Sequence, residues 1–405
     1  MSEHVSTCDP RPTVGLYVHV PFCRSKCGYC DFYSRVAAPG AFEPYIEALL
    51  AELDMAVAQR GLRVDTIFIG GGTPTCLPVE PLGRLLGRLG EIARRDDCRE
   101  FTVEANPATI DDAKAALMKS CGVDRVSMGA QSFNPGELAV LDREHNPADV
   151  AASIEILNHA GLARYNLDLI FGVPGQTLDS WASSLRAAID LRPEHLSCYG
   201  LTYEPGTRLH DRLQNGRVSH IAEDIEADMY LATMDTLETA GYRQYEISNY
   251  ARPGCECRHN LRYWRNLPGI GIGPSAASYY QHRRWRNVPD TASYVQAISA
   301  GTLPVIDLEE LSPLDRAGET AMLALRLVEG IDCRQFRETT GLDPLELFAA
   351  PIQAHASAGL LVVREGHLSL TRKGRLVGDA IIADFLSPSL PAVAPHAADH
   401  PGTHF

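Results

Sequence analysis

Six short β-rich runs, Leu16–Val20, Thr66–Ile69, Glu100–Ala105, Arg125–Met128, Asn166–Phe171 and Leu196–Thr202, alternate with stretches of helical period, and this leaves the chain few ways to fold. The helical stretches are Ala41–Arg60, Glu80–Arg95, Ile110–Ser120, Pro147–Ala160, Thr177–Leu191 and Glu223–Ala240. Strand, helix, strand, repeated, implies parallel βα units. Six units are too few for a closed eight-unit barrel, and periodicity alone leaves an open doubly wound sheet and a partial barrel both standing. The placement of reactive residues favours the curved alternative. Cysteines follow the first run, Gly70-Gly71-Gly72-Thr73-Pro74 the second, Glu104 ends the third, Gln131 follows the fourth and Asp168 lies in the fifth. An open sheet usually draws its site from one or two strands, so five contributors predict an α/β chain with a partial (β/α)6 TIM-like barrel.

The expected organisation is an N-terminal tail over residues 1–15, the barrel over 16–253, a loop-rich connection over 254–310 and a small, mostly helical C-terminal domain over 311–387. In the last of these, Ser312–Arg326, Asp332–Thr340 and Pro344–Ala358 read as helices, and Leu360–Arg364 with His367–Leu370 as a hairpin turned at Glu365-Gly366. Residues 388–405, rich in proline and histidine, read as a disordered tail whose His396, His400 and His404 are at most weak metal donors.

Composition narrows the function. Lys+Arg 37 against Asp+Glu 51 gives a net charge of −14, which lacks the basic field that nucleic-acid binding needs. Neither an apolar run of membrane-spanning length nor a secretion signal in Met1–Gly15 is visible, so the expected location is the cytoplasm. There, 11 cysteines point to metal binding before disulfides.

Cys23-Arg24-Ser25-Lys26-Cys27-Gly28-Tyr29-Cys30 sets three thiols in one loop after a strand. Thiolates suit both zinc and iron–sulfur centres. Zinc would need His19 or Asp31 as its fourth ligand, whereas a four-iron cluster on three cysteines keeps one iron open. The glycine run permits close backbone approach to a ligand, although a tight turn explains it equally. Glu104 and Asp168 suit an amine or ribose hydroxyls, and Arg143 a carboxylate, each with a plainer structural reading beside it.

Cys-x-x-x-Cys-x-x-Cys with an aromatic residue before the third cysteine resembles the radical S-adenosylmethionine (SAM) superfamily. That resemblance implies a [4Fe-4S] cluster on Cys23, Cys27 and Cys30, with SAM on the open iron. Tyr17–Cys23, Gly70–Thr75, Val103–Pro107, Gly129–Phe133 and Asn166–Gly175 are further similar to the oxygen-independent coproporphyrinogen III oxidase group. The group implies SAM contacts at Tyr17, Gly71, Gly72, Thr73, Glu104, Gln131, Arg143 and Asp168.

Two departures point away from the oxidases themselves, namely Phe32 where they carry a fourth cysteine and only fifteen residues before the first strand. They match the group's haem chaperone branch, as does His259-Asn260-Leu261-Arg262-Tyr263-Trp264. For that branch the resemblance implies haem as cargo with His259 as its ligand, acceptor haem proteins such as membrane-bound respiratory enzymes, a reductant for the cluster, and a homodimer. A neutral imidazole flanked by aromatics is also a plausible haem site on chemical grounds, against the plainer reading of a hydrogen-bonded loop histidine. Cys255 and Cys257 read either as thiolate donors or as small buried residues. The competing functions are porphyrinogen decarboxylation and a radical C-methyltransferase reaction.

Overall fold

The computed structural model describes residues 11–386, so the tail over 388–405 with its three histidines, and most of residues 1–15, lie outside the described residues. The chain divides between Glu310 and Leu311 into two compact units.

In the first unit the six anticipated strands are β1 (Thr13–Val20), β2 (Arg63–Gly71), β3 (Glu100–Ala105), β4 (Arg125–Gln131), β5 (Tyr165–Phe171) and β6 (His195–Gly200), each parallel to the next. The first begins at Thr13, inside the stretch expected to be tail. Between them run α1 (Phe42–Leu53), α2 (Val79–Asp96), α3 (Asp112–Ser120), α4 (Pro147–His159) and α5 (Leu178–Asp190), with α6 (Glu223–Thr239) following β6. Their starts are set by local chemistry: Asp111 accepts from Lys114 N, and Asn146 and Thr177 form capping boxes with Asp149 and Ser180.

Every strand carries two alternating sets of side chains. Val14, Leu16, Val18, Val20, Ile67, Ile69, Val103, Val126, Met128, Leu167, Leu169 and Leu196 are fully buried. Leu82, Leu85, Leu86 and Leu89 of α2 are as well, and these faces form the strand–helix core. The intervening positions, among them Tyr17, Thr66, Phe68, Thr102, Glu104, Arg125, Ser127, Asn166, Asp168 and Ser197, are largely polar. All of these but the fully buried Thr66 and Thr102 line a lumen on the face away from the helices.

Residues 254–310, expected to be loop-rich, hold regular structure. They fold into α7 (Arg258–Trp264), β9 (Gly269–Ile272), β10 (Ala277–Tyr280), β11 (Arg283–Asn287), a helix over Thr291–Ser299, and β12 (Val305–Glu310); β7 (Arg243–Gln244) and β8 (Asn249–Ala251) precede them. Strand β9 pairs parallel to β1 and buries Ile270 and Ile272. Its glycines make it read as loop, yet a side chain at Gly271 would collide with the Ala277 carbonyl of the adjoining strand. The twelve strands run in the order β12-β11-β10-β9-β1-β2-β3-β4-β5-β6-β8-β7 and the sheet does not close on itself. The fold is an α/β partial barrel.

The second unit is mostly helical: Pro313–Ala324, Cys333–Thr340, Pro344–Leu347 and Ala349–Ser357. Leu361–Arg364 and His367–Leu370 form the expected hairpin, turned by Glu365 and Gly366 at φ 52° and 80°, and Ile331–Asp332 adds a third strand.

Candidate functional site

The barrel opens on a cavity of about 620 Å³. Tyr17, Cys23, Cys27, Cys30, Gly71, Gly72, Thr73, Glu104, Gln131, Arg143, Asp168 and His259, the residues selected from sequence, all line it.

The cysteine loop is fastened at both ends. Gly72 N donates to Val20 O at 2.7 Å and Thr73 N to Phe22 O at 2.8 Å, which tie the glycine run to the loop's entry. At the exit, Leu209 N donates to Gly28 O at 2.8 Å, and Arg208 and Arg212 pair with Asp142 at 3.0 and 2.8 Å. Gly28 sits against that carboxylate, since a Cβ there would lie 2.5 Å from Asp142 Oδ2. Tyr29, the aromatic of the motif, packs on Leu141, Ile170, Val173, Leu201 and Leu209.

Arg143 Nη1 donates to Cys27 Sγ at 3.3 Å and Thr73 Oγ1 to Cys23 Sγ at 3.7 Å. Burial pushes the Cys23 and Cys30 thiols up, so ionising them calls for a cation in their midst. Both ring nitrogens of His19 are engaged, with Tyr17 Oη at 3.1 Å and Tyr33 O at 2.8 Å, which removes it as a fourth zinc ligand. Among the described residues no three His, Cys, Asp or Glu side chains gather around a single metal ion. A soft donor set of three thiols, met by hydrogen bonds from Arg143 and Thr73, fits a polynuclear iron centre.

Each glycine of the run answers to a different neighbour. A Cβ on Gly70 would lie 2.6 Å from Glu104 Oε2, one on Gly71 2.5 Å from the His19 ring, and one on Gly72 2.7 Å from Phe22 O. Gly71, at φ +103°, donates its N–H to Glu104 Oε2 at 3.2 Å. Burial, reinforced by Asp168, raises Glu104 to about 8, and burial also raises Asp168, which accepts from Asn166 Nδ2 at 2.7 Å. Strand β4 bulges between Gly129 and Gln131, and Gln131 adopts φ 64°. Such a bulge re-aims a side chain at a strand end. Gly129 leaves room for Gln131 and Arg143, whose Nη2 donates to Gly129 O at 2.6 Å. Two carboxyl groups and a guanidinium thus face one cavity as a pattern for a zwitterion.

His259 lies at the inner end of the lumen. Helix α7 is held there by Glu100, the first residue of β3, which accepts from Arg258 N and His259 N at 3.0 Å each and from Cys257 Sγ at 3.3 Å. Cys257 is therefore a buried hydrogen-bond donor, pushed by burial up to about 12. Arg262 ties the same helix to Asp65 at 2.8 Å and to Pro268 O at 3.0 Å. His259 Nδ1 pairs with Thr66 Oγ1 at 2.8 Å, its ring stacks on Phe68 with centroids 5.3 Å apart, and Nε2 is buried without a partner. Burial, with Arg262 and Arg125 adding to it, lowers His259 to about 3, so the imidazole is neutral.

Sequence reasoning missed Arg125, Phe68, Ser127, Asn166, Ser197 and Tyr199, which line the same cavity. The available signal was the alternation within the strands, where polar residues interrupt apolar runs at every second position.

The radical SAM superfamily profile matches residues 17–188, and the HemN C-terminal domain profile matches residues 311–377. Heme chaperone HemW of Bacillus subtilis is 36% identical over 372 residues, 91% of this chain and 98% of that protein. The HemW proteins of Mycobacterium tuberculosis H37Rv and Escherichia coli K12 are 37% and 34% identical, each over 93% of this chain and over 96% and 99% of their own lengths. The solved structure of coproporphyrinogen III oxidase HemN from Escherichia coli superposes with a TM-score of 0.79 at 25% identity, over 93% of this chain and 90% of that one.

Proposed function

The chain belongs to the radical SAM superfamily and, within its coproporphyrinogen oxidase-like group, to the HemW haem chaperone family, and on that premise we propose that it binds haem and delivers it to acceptor haem proteins. The observation that carries this reading is the buried, neutral imidazole of His259, its Nε2 without a partner, in the wall of the cavity that the three thiols share. A neutral imidazole nitrogen is what haem iron takes as an axial ligand, and the hydrogen bond to Thr66 fixes the ring that would offer it.

In this reading Cys23, Cys27 and Cys30 hold a [4Fe-4S] cluster. Tyr17, Gly71, Gly72, Thr73, Glu104, Gln131, Arg143 and Asp168 surround an exchangeable SAM. A reduced cluster bound there would supply an electron to SAM. The protein's part is positional: Arg143 fixes the side of the cavity at Cys27, Thr73 the side at Cys23, and Glu104 and Asp168 offer charge to an ammonium group. The chain would work in the cytoplasm as a homodimer, with a cellular reductant serving the cluster and membrane-bound respiratory enzymes among the acceptors. No helix of the described residues is long and apolar enough to cross a membrane, so contact with a bilayer would come through such a partner. The boundaries assigned from sequence, with residues 254–310 as a connection to the C-terminal domain, belong to the same proposal.

The likeness to HemN supports a second reading, oxidative decarboxylation of coproporphyrinogen III. Against it stands Phe32 at the position of the oxidases' fourth cysteine, 65% exposed. Anaerobic reconstitution with iron and sulfide, haem titration of wild type and His259→Ala with SAM present, and product chromatography separate the two. Saturable one-to-one haem binding, weakened by the substitution and without protoporphyrinogen formation, supports the chaperone. Turnover of coproporphyrinogen without specific haem binding establishes the oxidase.

A further inference from the structure

The inner half of the lumen contains a cation that none of the roles above uses. Arg125 opens β4, is 3% exposed, and lines the cavity. Among the described residues its guanidinium makes no hydrogen bond and no ion pair; the carboxylates that act on it are Glu100 and Asp168. Of these, Glu100 already accepts from Cys257 and from the two amides at the head of α7. Its donors reach into the cavity and have no acceptor from the protein, so a molecule that enters the lumen with an acceptor meets an unpaired cation there.

Two further groups beside it are unsatisfied. Thr102 is the register partner of Arg125 and of Phe68 on the other side, and its buried Oγ1 has no hydrogen-bond partner. His259, stacked on that same Phe68, leaves Nε2 without one. Phe68, Thr102 and Arg125 stand in one row across three adjacent strands, about 10 Å from end to end at the usual strand spacing. A guanidinium in the cavity wall without a protein acceptor, with the buried Thr102 Oγ1 and His259 Nε2 unpaired beside it, is far from the pattern of a closed interior, where such groups find partners.

We propose that this row is a carboxylate-binding site. Arg125, which lines the cavity, clamps the two oxygens, while His259, which lines it as well, stands beside the bound group. The shape of the donor set argues for a carboxylate, since a guanidinium fork matches its two coplanar oxygens. The site lies deeper than Arg143, which is held at the mouth by Gly129 O and Cys27. A carboxylate there belongs to a molecule reaching into the lumen, either a small free acid or a propionate arm of the haem cargo. Only the second source rests on the haem reading.

The test uses the full-length, cluster-reconstituted protein. Sodium propionate is compared with sodium chloride and with propionamide, its uncharged counterpart, by thermal shift of wild type, Arg125→Gln and Arg125→Lys. The expected result is a dose-dependent rise in melting temperature of wild type with propionate alone, lost by at least tenfold in apparent affinity in Arg125→Gln and partly restored in Arg125→Lys. Equal responses of wild type to propionate and propionamide overturn the proposal without any variant, as does a full response in a folded Arg125→Gln. Haem against its dimethyl ester identifies the source. Tighter binding of the free acid in wild type, with the preference erased in Arg125→Gln, assigns the site to a propionate. A propionate response with no haem bound leaves the site standing, assigns it to a small acid, and rejects the haem reading instead.

Discussion

Removing the Glu100 carboxylate releases the helix that bears His259. In Glu100→Ala the amides of Arg258 and His259 lose their acceptor at the head of α7, where no side chain of the N-cap residue Cys257 replaces it. Two hydrogen bonds to a charged acceptor at about 1.5–3 kcal/mol each, with about 0.3–1 kcal/mol from charge at a helix N-terminus, sum to about 3–7 kcal/mol, and taken toward the lower end the loss is near 4 kcal/mol. At about 1.4 kcal/mol per factor of ten, this is roughly three decades in the local opening equilibrium. Hydrogen exchange reads it directly. The Leu261 amide, bonded to Cys257 O at 3.0 Å inside α7, should exchange about a thousandfold faster, while amides of β1 and β2 keep their rates. Glu100→Gln keeps one good acceptor oxygen and should lose about half as much in free energy. A change of less than tenfold at Leu261 in Glu100→Ala would refute the view that Glu100 holds the helix in place. Uniform acceleration over the whole first unit would show that the carboxylate serves global stability rather than α7.

Three other perturbations address the mouth of the cavity. Gly70→Ala places a Cβ 2.6 Å from Glu104 Oε2 and should weaken SAM binding more than tenfold in calorimetric titration while the circular dichroism spectrum is kept; wild-type affinity would show that Glu104 can move aside at little cost. Gly28→Val drives a larger side chain into Asp142 and should cut the iron and sulfide retained after reconstitution by half or more, with Arg212 losing its 2.8 Å pairing geometry; full loading would remove Asp142 as the loop's anchor. Burial and Asp168 raise Glu104 to about 8 from an ordinary 4.5, so its contribution to stability is complete below about pH 4.5 and is lost as pH rises through 8. A bound ammonium group favours the ionised form. SAM binding should therefore release a proton and tighten between pH 7 and 9, a dependence that Glu104→Gln abolishes. Identical titration enthalpies in buffers of different ionisation heat would contradict it.

The strands and their crossover helices were legible because apolar residues at period two and period 3.6 report burial directly, and α2 runs over Val79–Asp96 where the sequence suggested Glu80–Arg95. The C-terminal hairpin was equally plain from Glu365-Gly366, both at positive φ. What periodicity could not deliver was β9, in which half the residues are glycines, one of which, Gly271, is kept small by a neighbouring strand's carbonyl. Nor could it deliver α7, a helix of seven residues capped by a glutamate 158 positions away from Arg258. Among the site residues, those in short motifs were found because motif spacing is local. Arg125 and Thr102 were passed over because a polar residue inside a strand has no local signature of its purpose. Only the register, which sets Thr102 beside Arg125, reveals the row they share.

The alternation along β1–β6 has a consequence for how such a molecule changes over generations. Odd and even positions of each strand answer to separate constraints: one set is pinned by contact with helices, while most of the other faces its neighbours in the lumen and whatever enters. Substitution on the first face is filtered by foldability and on the second by ligand chemistry, so the interior can be rewritten under a nearly constant shell. A barrel packed solid with aliphatic layers has no such freedom, because its interior is also its keystone. Here a new chemistry can be tried at those lumen residues that, unlike Glu100, hold no other element in place.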